Sequence, residues 1–313
     1  MENNTYLEEL LKAQQKEQKK SFELGKSTAP PAEKKALEKY ARNLTAEPQE
    51  PGVGRELELA QLAMILTKRK KANPILVGPA GTGKSQLVYS LANMIADPNY
   101  DGPLKGKHIW EVSTTSIISG ASFVGMAEKR MKAIIEEAEA DPNVILFWDE
   151  IHSMIGAGAG SKSNNDLSQM IKPALAGGKI AVIGATTDEE YEIIRQEKAL
   201  NRRFNKIIVR PLTEPQVVEV LQGIKYLYER HHGIMYNDAS IRVMPILSQQ
   251  YSGLYDPDAA IDLMDTAGAI KGGSPGRYKE KNGNKVLKKD VYIAAAMLYS
   301  ESLDAIEKFM TNK

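Results

Sequence analysis

The chain has 313 residues, room for about two domains, and 42% of them are hydrophobic, enough to build a core. Its 41 lysines and arginines almost cancel 40 aspartates and glutamates, which argues against a nucleic-acid binder driven by charge. With no cysteine there are no disulfides, thiolate metal sites or cysteine nucleophiles. The N-terminus shows no apolar signal region, and no apolar run nears the roughly 18 residues that cross a bilayer, so a protein of a reducing compartment, the cytoplasm, is expected.

Residues 1–48 are rich in Lys, Glu and Gln, with sparse apolar positions at Tyr6, Leu7, Leu10, Leu11, Phe22 and Leu24. Ala29-Pro30-Pro31 interrupts any helix there, and a short helix is expected over 33–44. The first two dozen residues fit either a partner-binding amphipathic helix or a solvated tail, and the short apolar stripe favours the tail. From Pro51 the pattern alternates. Helix is expected over 55–71, strand over 74–77, helix over 85–96, strand over 108–112 and helix over 127–140. Strand 144–148, helix 166–176 and strand 180–184 complete the run. Apolar strands alternating with helices imply a parallel sheet covered on both faces. After Pro211 only helices are expected, over 215–232, 238–251, 257–270 and 290–310, with a loop at 271–284. The expected organisation is an extension (1–48), an α/β domain (49–211) and a small all-helical domain (212–313).

Gly78-Pro79-Ala80-Gly81-Thr82-Gly83-Lys84-Ser85 has the form G-x-x-x-x-G-K-[ST] and follows the apolar Ile75-Leu76-Val77. A buried strand that empties into a glycine-rich loop and then a helix makes a concave anion site from backbone N–H groups. Lys84 would reach the β- and γ-phosphates of ATP, and the Ser85 hydroxyl would ligate Mg2+. Asp149-Glu150 ends the strand 144–148 and would leave the sheet at the same edge, Asp149 toward the metal and Glu150 toward the attacking water. His152 alone reads as a packed, hydrogen-bonding histidine. The strand ending in Gly184-Ala185-Thr186-Thr187 should emerge between the phosphate loop and the acidic strand, presenting a hydroxyl to the γ-phosphate or the water. Arg202-Arg203 fits either a solvated corner or an arginine finger supplied across a subunit boundary.

Gly54-Arg55-Glu56, the phosphate loop, Asp149-Glu150, Gly184–Thr187 and Ala199-Leu200-Asn201-Arg202-Arg203-Phe204 together resemble an AAA+ ATPase. More narrowly, they resemble the first ATPase module of the Clp unfoldases (ClpA, ClpB and ClpC), in a single-module form. Leu37–Thr45, Leu104–Lys107, Ile155–Ala159, Lys172–Ala176, His231–Ile234 and Pro257–Leu263 extend the likeness over about 37–305. The resemblance implies an α/β P-loop domain followed by a helical lid. ATP and Mg2+ are the implied cofactors, with Pro79, Ala80, Gly81, Thr82, Gly83, Lys84, Ser85 and Gln86 around the phosphates and Val53 and Gly54 at the adenine. It implies Thr186, with Thr187 as fallback, as the sensor of the γ-phosphate, and Arg202 and Arg203 acting on a neighbour's ATP. Phe123, Val124 and Gly125 fall where the family has a substrate-gripping pore loop, and residues 156–165 where it has a second loop on the channel.

The chain departs from the family in lacking a second ATPase module, a receptor domain and a long coiled coil, so docking to a protease through the second module is not expected. Ala259 replaces a usual lysine, Phe123 a tyrosine, Trp148 a smaller residue, and Pro79–Thr82 the usual Glu-Pro-Gly-Val. The leading expectation is an ATP-driven ring, six subunits by the resemblance, that threads polypeptide. The alternatives are a nucleotide-switched platform recruiting one partner through residues 1–48, and a DNA-acting loader, which the near-neutral charge disfavours.

Overall fold

The computed structural model describes residues 35–120, 124–155, 167–273 and 283–313. The expectations for residues 1–34, for Phe123 and for the loop 156–165 lie outside the described residues. The first element, α1 (Ala36–Tyr40), runs directly into β1 (Ala41–Asn43). The helix expected over 33–44 is therefore cut short, and the reason is tertiary. The Glu137 carboxylate accepts the N–H groups of Ala36 and Leu37, and the next residues pair antiparallel with β3 (His108–Val112), Ala41 opposite Val112 and Asn43 opposite Trp110. Covering an open strand edge outweighs the weak local preference for helix.

The chain continues through α2 (Glu56–Leu66), β2 (Asn73–Val77) and α3 (Lys84–Ala96), then past β3 to α4 (Thr114–Ile118), α5 (Val124–Ala140) and β4 (Val144–Trp148). Next come α6 (Leu167–Gly177), β5 (Ala181–Thr186), α7 (Asp188–Gln196), α8 (Lys198–Asn201) and β6 (Phe204–Ile208). The sheet order is β1-β3-β4-β5-β2-β6, parallel except at β1. β4 shows why its sequence is a continuous apolar run. Val144, Leu146 and Trp148 enter the core on one face, Ile145 and Phe147 the core on the other. β6 was not foreseen, because Asn205-Lys206 interrupts its apolar positions; it buries Phe204 and Ile207 and pairs along the whole of β2.

The lid holds α9 (Glu214–His232), β7 (Met235–Tyr236), α10 (Asp238–Tyr251), α11 (Asp258–Gly273), β8 (Lys285–Val286), α12 (Lys288–Leu298) and α13 (Leu303–Thr311). Among the described residues its regular structure is helical apart from the two-residue parallel bridge of β7 with β8, too short to leave a sequence pattern. The single helix expected over 290–310 is two. Ser300 takes a left-handed backbone (φ +57°), and the Ser302 hydroxyl caps α13 by accepting the Ala305 N–H at 3.2 Å. The break lets Phe309 meet the Tyr251 ring edge-on, centroids 5.5 Å apart. Val217, Leu221, Met244 and Leu263, all fully buried, anchor a core separate from those of the sheet.

Candidate active site

Val77, the last residue of β2, pairs with Thr186 on one side and Ile208 on the other, so the loop that follows leaves the middle of the carboxyl edge. Gly81 and Gly83 have φ of +78° and +87°, a conformation that side-chain-bearing residues rarely adopt. Gly83 starts α3 with no side-chain cap, leaving the first-turn N–H groups directed at an anion. Lys84 lies folded over the loop, its Nζ donating to the carbonyls of Gly78 and Pro79 at 2.8 Å each. Burial pushes its ammonium pKa down, against the opposing pull of Asp149. The buried Thr82 hydroxyl staples the same turn by donating to the Pro79 carbonyl at 2.9 Å.

The sheet order puts β5 between β2 and β4, and with it the three strand ends that carry the polar groups. Ser85 Oγ donates to Asp149 Oδ2 at 2.6 Å across 64 residues of sequence, and Asp149 Oδ1 accepts the Glu150 N–H at 3.0 Å. Glu150 is exposed and has φ +51°, a left-handed backbone for a non-glycine residue, which costs about 1 kcal/mol. That turn swings the chain out of the sheet into a 3-10 turn (Ile151–Met154) and leaves the Glu150 carboxyl on the lip of the cleft. Thr186 closes β5 and is almost fully buried. Ser85 and Asp149 offer two hard oxygen donors. Among the described residues no group of three His, Cys, Asp or Glu could hold a metal unaided. A two-donor site suits Mg2+, which binds through one or two protein oxygens together with phosphate oxygens and water.

These residues line a cleft of about 960 Å³ between the sheet edge and the lid, whose far end is apolar: Val53, Leu212, Val220, Ile224, Tyr228 and Ile261. Val53 is held there by a device the sequence reading missed. Asn93 pairs with the backbone of Gln49, Oδ1 accepting its N–H and Nδ2 donating to its carbonyl, both at 3.0 Å. Gln86 Nε2 donates to the Glu50 carbonyl at 2.7 Å, and Gly52 lies so close to Ser90 that a Cβ would fall 2.0 Å from its Oγ. Gln86, Ser90 and Asn93 thus form an i, i+4, i+7 polar stripe on α3 that docks residues 49–53, and that spacing was the available signal. Gln86, expected at the phosphates, lines the cleft but commits its side chain to Glu50. Gly54, with φ +79°, turns the chain from Val53 toward α2. Arg55, quoted only as part of a motif, clamps the loop to the end of β6 by donating to the carbonyls of Thr82 (2.8 Å) and Arg210 (2.7 Å).

Two lid contacts complete the cleft. Gly223 on α9 faces Val53, and a Cβ there would lie 2.7 Å from Val53 Cγ2. Gly223→Ala should weaken ATP binding about fivefold, the equivalent of about 1 kcal/mol of overpacking, as measured by fluorescent-nucleotide titration. The second contact is main chain to main chain: the Asp258 N–H donates to the Gly81 carbonyl at 3.3 Å. Asp256 anchors that end of α11 by accepting from Ser248 Oγ, Gln249 Nε2 and the Ala260 N–H. Burial pushes the Asp256 carboxyl up, more than these hydrogen bonds pull it down. Ala259, next in line, is buried.

Arg202 and Arg203 are not part of this cleft. They precede Phe204, which pairs with Asn73 at the amino end of β2, so they sit at the opposite edge of the sheet from the phosphate loop. Among the described residues neither forms an ion pair. Val124 and Gly125 begin α5, and Phe123 lies outside the described residues.

The AAA family, ATPases associated with various cellular activities, matches residues 74–212, and the AAA lid domain matches residues 213–292. The chain belongs to the AAA family of ATPases. This AAA ATPase is 40% identical over 240 residues to a probable ATP-dependent Clp protease ATP-binding subunit of Chlamydia pneumoniae, covering 75% of this chain and 28% of that protein. It is 40% identical over 242 residues to the chaperone protein ClpB of Clostridium tetani, covering 75% and 28%. The S. cerevisiae Hsp104:casein complex in its extended conformation aligns with a TM-score of 0.74 and 31% identity, over 85% of this chain and 45% of that one. The AAA ATPase thus spans under a third of the length of these curated relatives. Among its described residues no helix is long and apolar enough to cross a membrane.

Proposed function

We propose that this AAA ATPase is a Clp-type protein-remodelling module that works in a ring of identical subunits and draws polypeptide through it by hydrolysing ATP. The observation that carries the hydrolytic part is the 2.6 Å contact of Ser85 with Asp149 beneath Glu150, in a cleft with a glycine-built anion cradle. Lys84 exchanges its two loop carbonyls for β- and γ-phosphate oxygens, a charged partner for neutral ones. Ser85 and Asp149 would hold Mg2+, which when bound would supply charge neutralisation at the phosphates. Glu150 polarises the attacking water as its oxygen bonds to the γ-phosphorus and the bond to the bridging oxygen breaks, releasing ADP and phosphate. Thr186 orients the γ-phosphate or the water from the end of β5.

Polypeptide as the moved substrate is supported by the Hsp104 neighbour, whose partner is casein, and by the position of Phe123 between Gly120 and Gly125. The proposed grip is apolar contact from Phe123, which tolerates varied sequences. Phe123→Ala should cut ATP-dependent unfolding of a tagged fluorescent protein about tenfold or more, with ATP turnover within about twofold of wild type. Equal unfolding by both proteins would remove the threading claim and leave the ATPase untouched.

A further inference from the structure

His152, Thr186 and Glu190 form a hydrogen-bond knot directly behind the cleft, and the hydrogen count within it is informative. Glu190 Oε2 lies 2.8 Å from Thr187 Oγ1, 3.3 Å from Thr187 N, 3.1 Å from His152 Nδ1 and 3.4 Å from Thr186 Oγ1. His152 Nδ1 is also 3.1 Å from Thr186 Oγ1. Burial opposes ionisation of Glu190, but the hydrogen bonds from Thr187 and the nearby His152 outweigh it and hold the carboxyl below its usual range. At neutral pH Glu190 is therefore a carboxylate that only accepts. An acceptor-only oxygen 3.1 Å from His152 Nδ1 requires that nitrogen to carry the hydrogen, which assigns the ring's tautomer. Thr187 is bound to Glu190 three times, as the cap of α7. The Thr186 hydroxyl makes the longest contact in the knot and is the one group in it that also ends a strand at the cleft.

We propose that His152 is a positioning residue that frees the Thr186 hydroxyl. When Thr186 turns its hydrogen from Glu190 to a phosphate oxygen, the His152 Nδ1–H, which lies 3.1 Å from both Thr186 Oγ1 and Glu190 Oε2, is left wholly to Glu190. Glu190, half-buried and held also by Thr187, then keeps its full set of remaining donors, so the turn of Thr186 leaves the carboxylate oxygen paired. His152 sits in the turn that begins at Glu150, so the same bond ties the water-polarising carboxylate and the end of β5 to the start of α7. The inference rests on the proposed role of Thr186 in hydrolysis and is independent of threading.

The test is steady-state ATP hydrolysis by the full chain. His152→Ala should lower kcat about tenfold with KM within about twofold, since the group acts through Thr186 and does not hold nucleotide. His152→Asn, which retains a side-chain N–H, should recover most of that loss, a rescue that a packing role would not give. Glu190→Gln, which introduces a donor where only an acceptor serves, should also lower kcat. In a Thr186→Ala background His152→Ala should cost nothing further. The proposal is overturned if His152→Ala turns over normally while Thr186→Ala is impaired, if the two losses multiply, or if Asn is no better than Ala. A Thr186→Ala protein at the wild-type rate would overturn the assigned role of Thr186 and this inference with it.

Discussion

Glu150→Gln should lower ATP turnover about 1,000-fold while leaving nucleotide affinity within about twofold. The geometry separates the two effects. Among the described residues the Glu150 side chain forms no hydrogen bond or ion pair with Lys84 or Ser85; its backbone N–H donates to Asp149 Oδ1, and the substitution keeps that bond. The amide has the same volume on the same left-handed backbone and lacks only the basic oxygen that draws a proton from water. Phosphate release and fluorescent-nucleotide titration measure the two halves separately. Turnover above a tenth of wild type would assign the base to another group. Under the proposed remodelling function, the variant should also retain a polypeptide client in the presence of ATP, and affinity capture with it would identify that client.

Replacing Arg202 and Arg203 together by alanine should lower turnover by about 1,000-fold as well, the scale of an arginine finger, yet with a different signature. From the start of β6 to the end of β2 is about 13 Å along the strands, at roughly 3.3 Å per residue, before any loop is counted. The arginines therefore lie at the wrong edge to serve their own phosphate loop, Arg202 exposed and Arg203 half-buried. Mixing the arginine variant with Glu150→Gln should restore turnover that neither has alone. A subunit with intact Glu150 can then sit beside one with intact arginines. A mixture no more active than its two components would place the arginines outside any shared site.

The alternating core of the α/β domain was legible in the sequence because β2, β4 and nearly all of β5 are buried on both faces; 108–112 and 144–148 match β3 and β4 residue for residue. The placement of β5 between β2 and β4, and the meeting of Ser85 with Asp149, were legible because a strand–glycine loop–helix unit and an acidic strand end admit few arrangements. What escaped was held by contacts distant in sequence. β1 exists because β3 has an open edge and Glu137 caps the preceding turn, neither of which residues 36–43 encode locally. The docking of Val53 depends on amide side chains of α3 reaching another segment's backbone, and polar residues on a helix ordinarily signify only a wet face. His152 is the hydrogen-bonding histidine that the sequence suggests, but its partners, Thr186 and Glu190, lie 34 and 38 positions away and could not be named from it.

The bond from the Asp258 N–H to the Gly81 carbonyl has a consequence for how this lid is to be interrogated. It is made by main-chain atoms that every residue but proline carries, at a position where a side-chain cation is absent and Ala259 is buried. Alanine scanning would pass over it in silence, because truncating Asp258 leaves its amide in place. Only removal of the amide hydrogen itself, by proline at 258 or by a backbone ester, cuts the thread between lid and phosphate loop. The Asp258 side chain is free to drift in sequence without removing that bond, while Asp256, which anchors the same helix end, is not, and so a tolerant position can still carry mechanical linkage to the nucleotide.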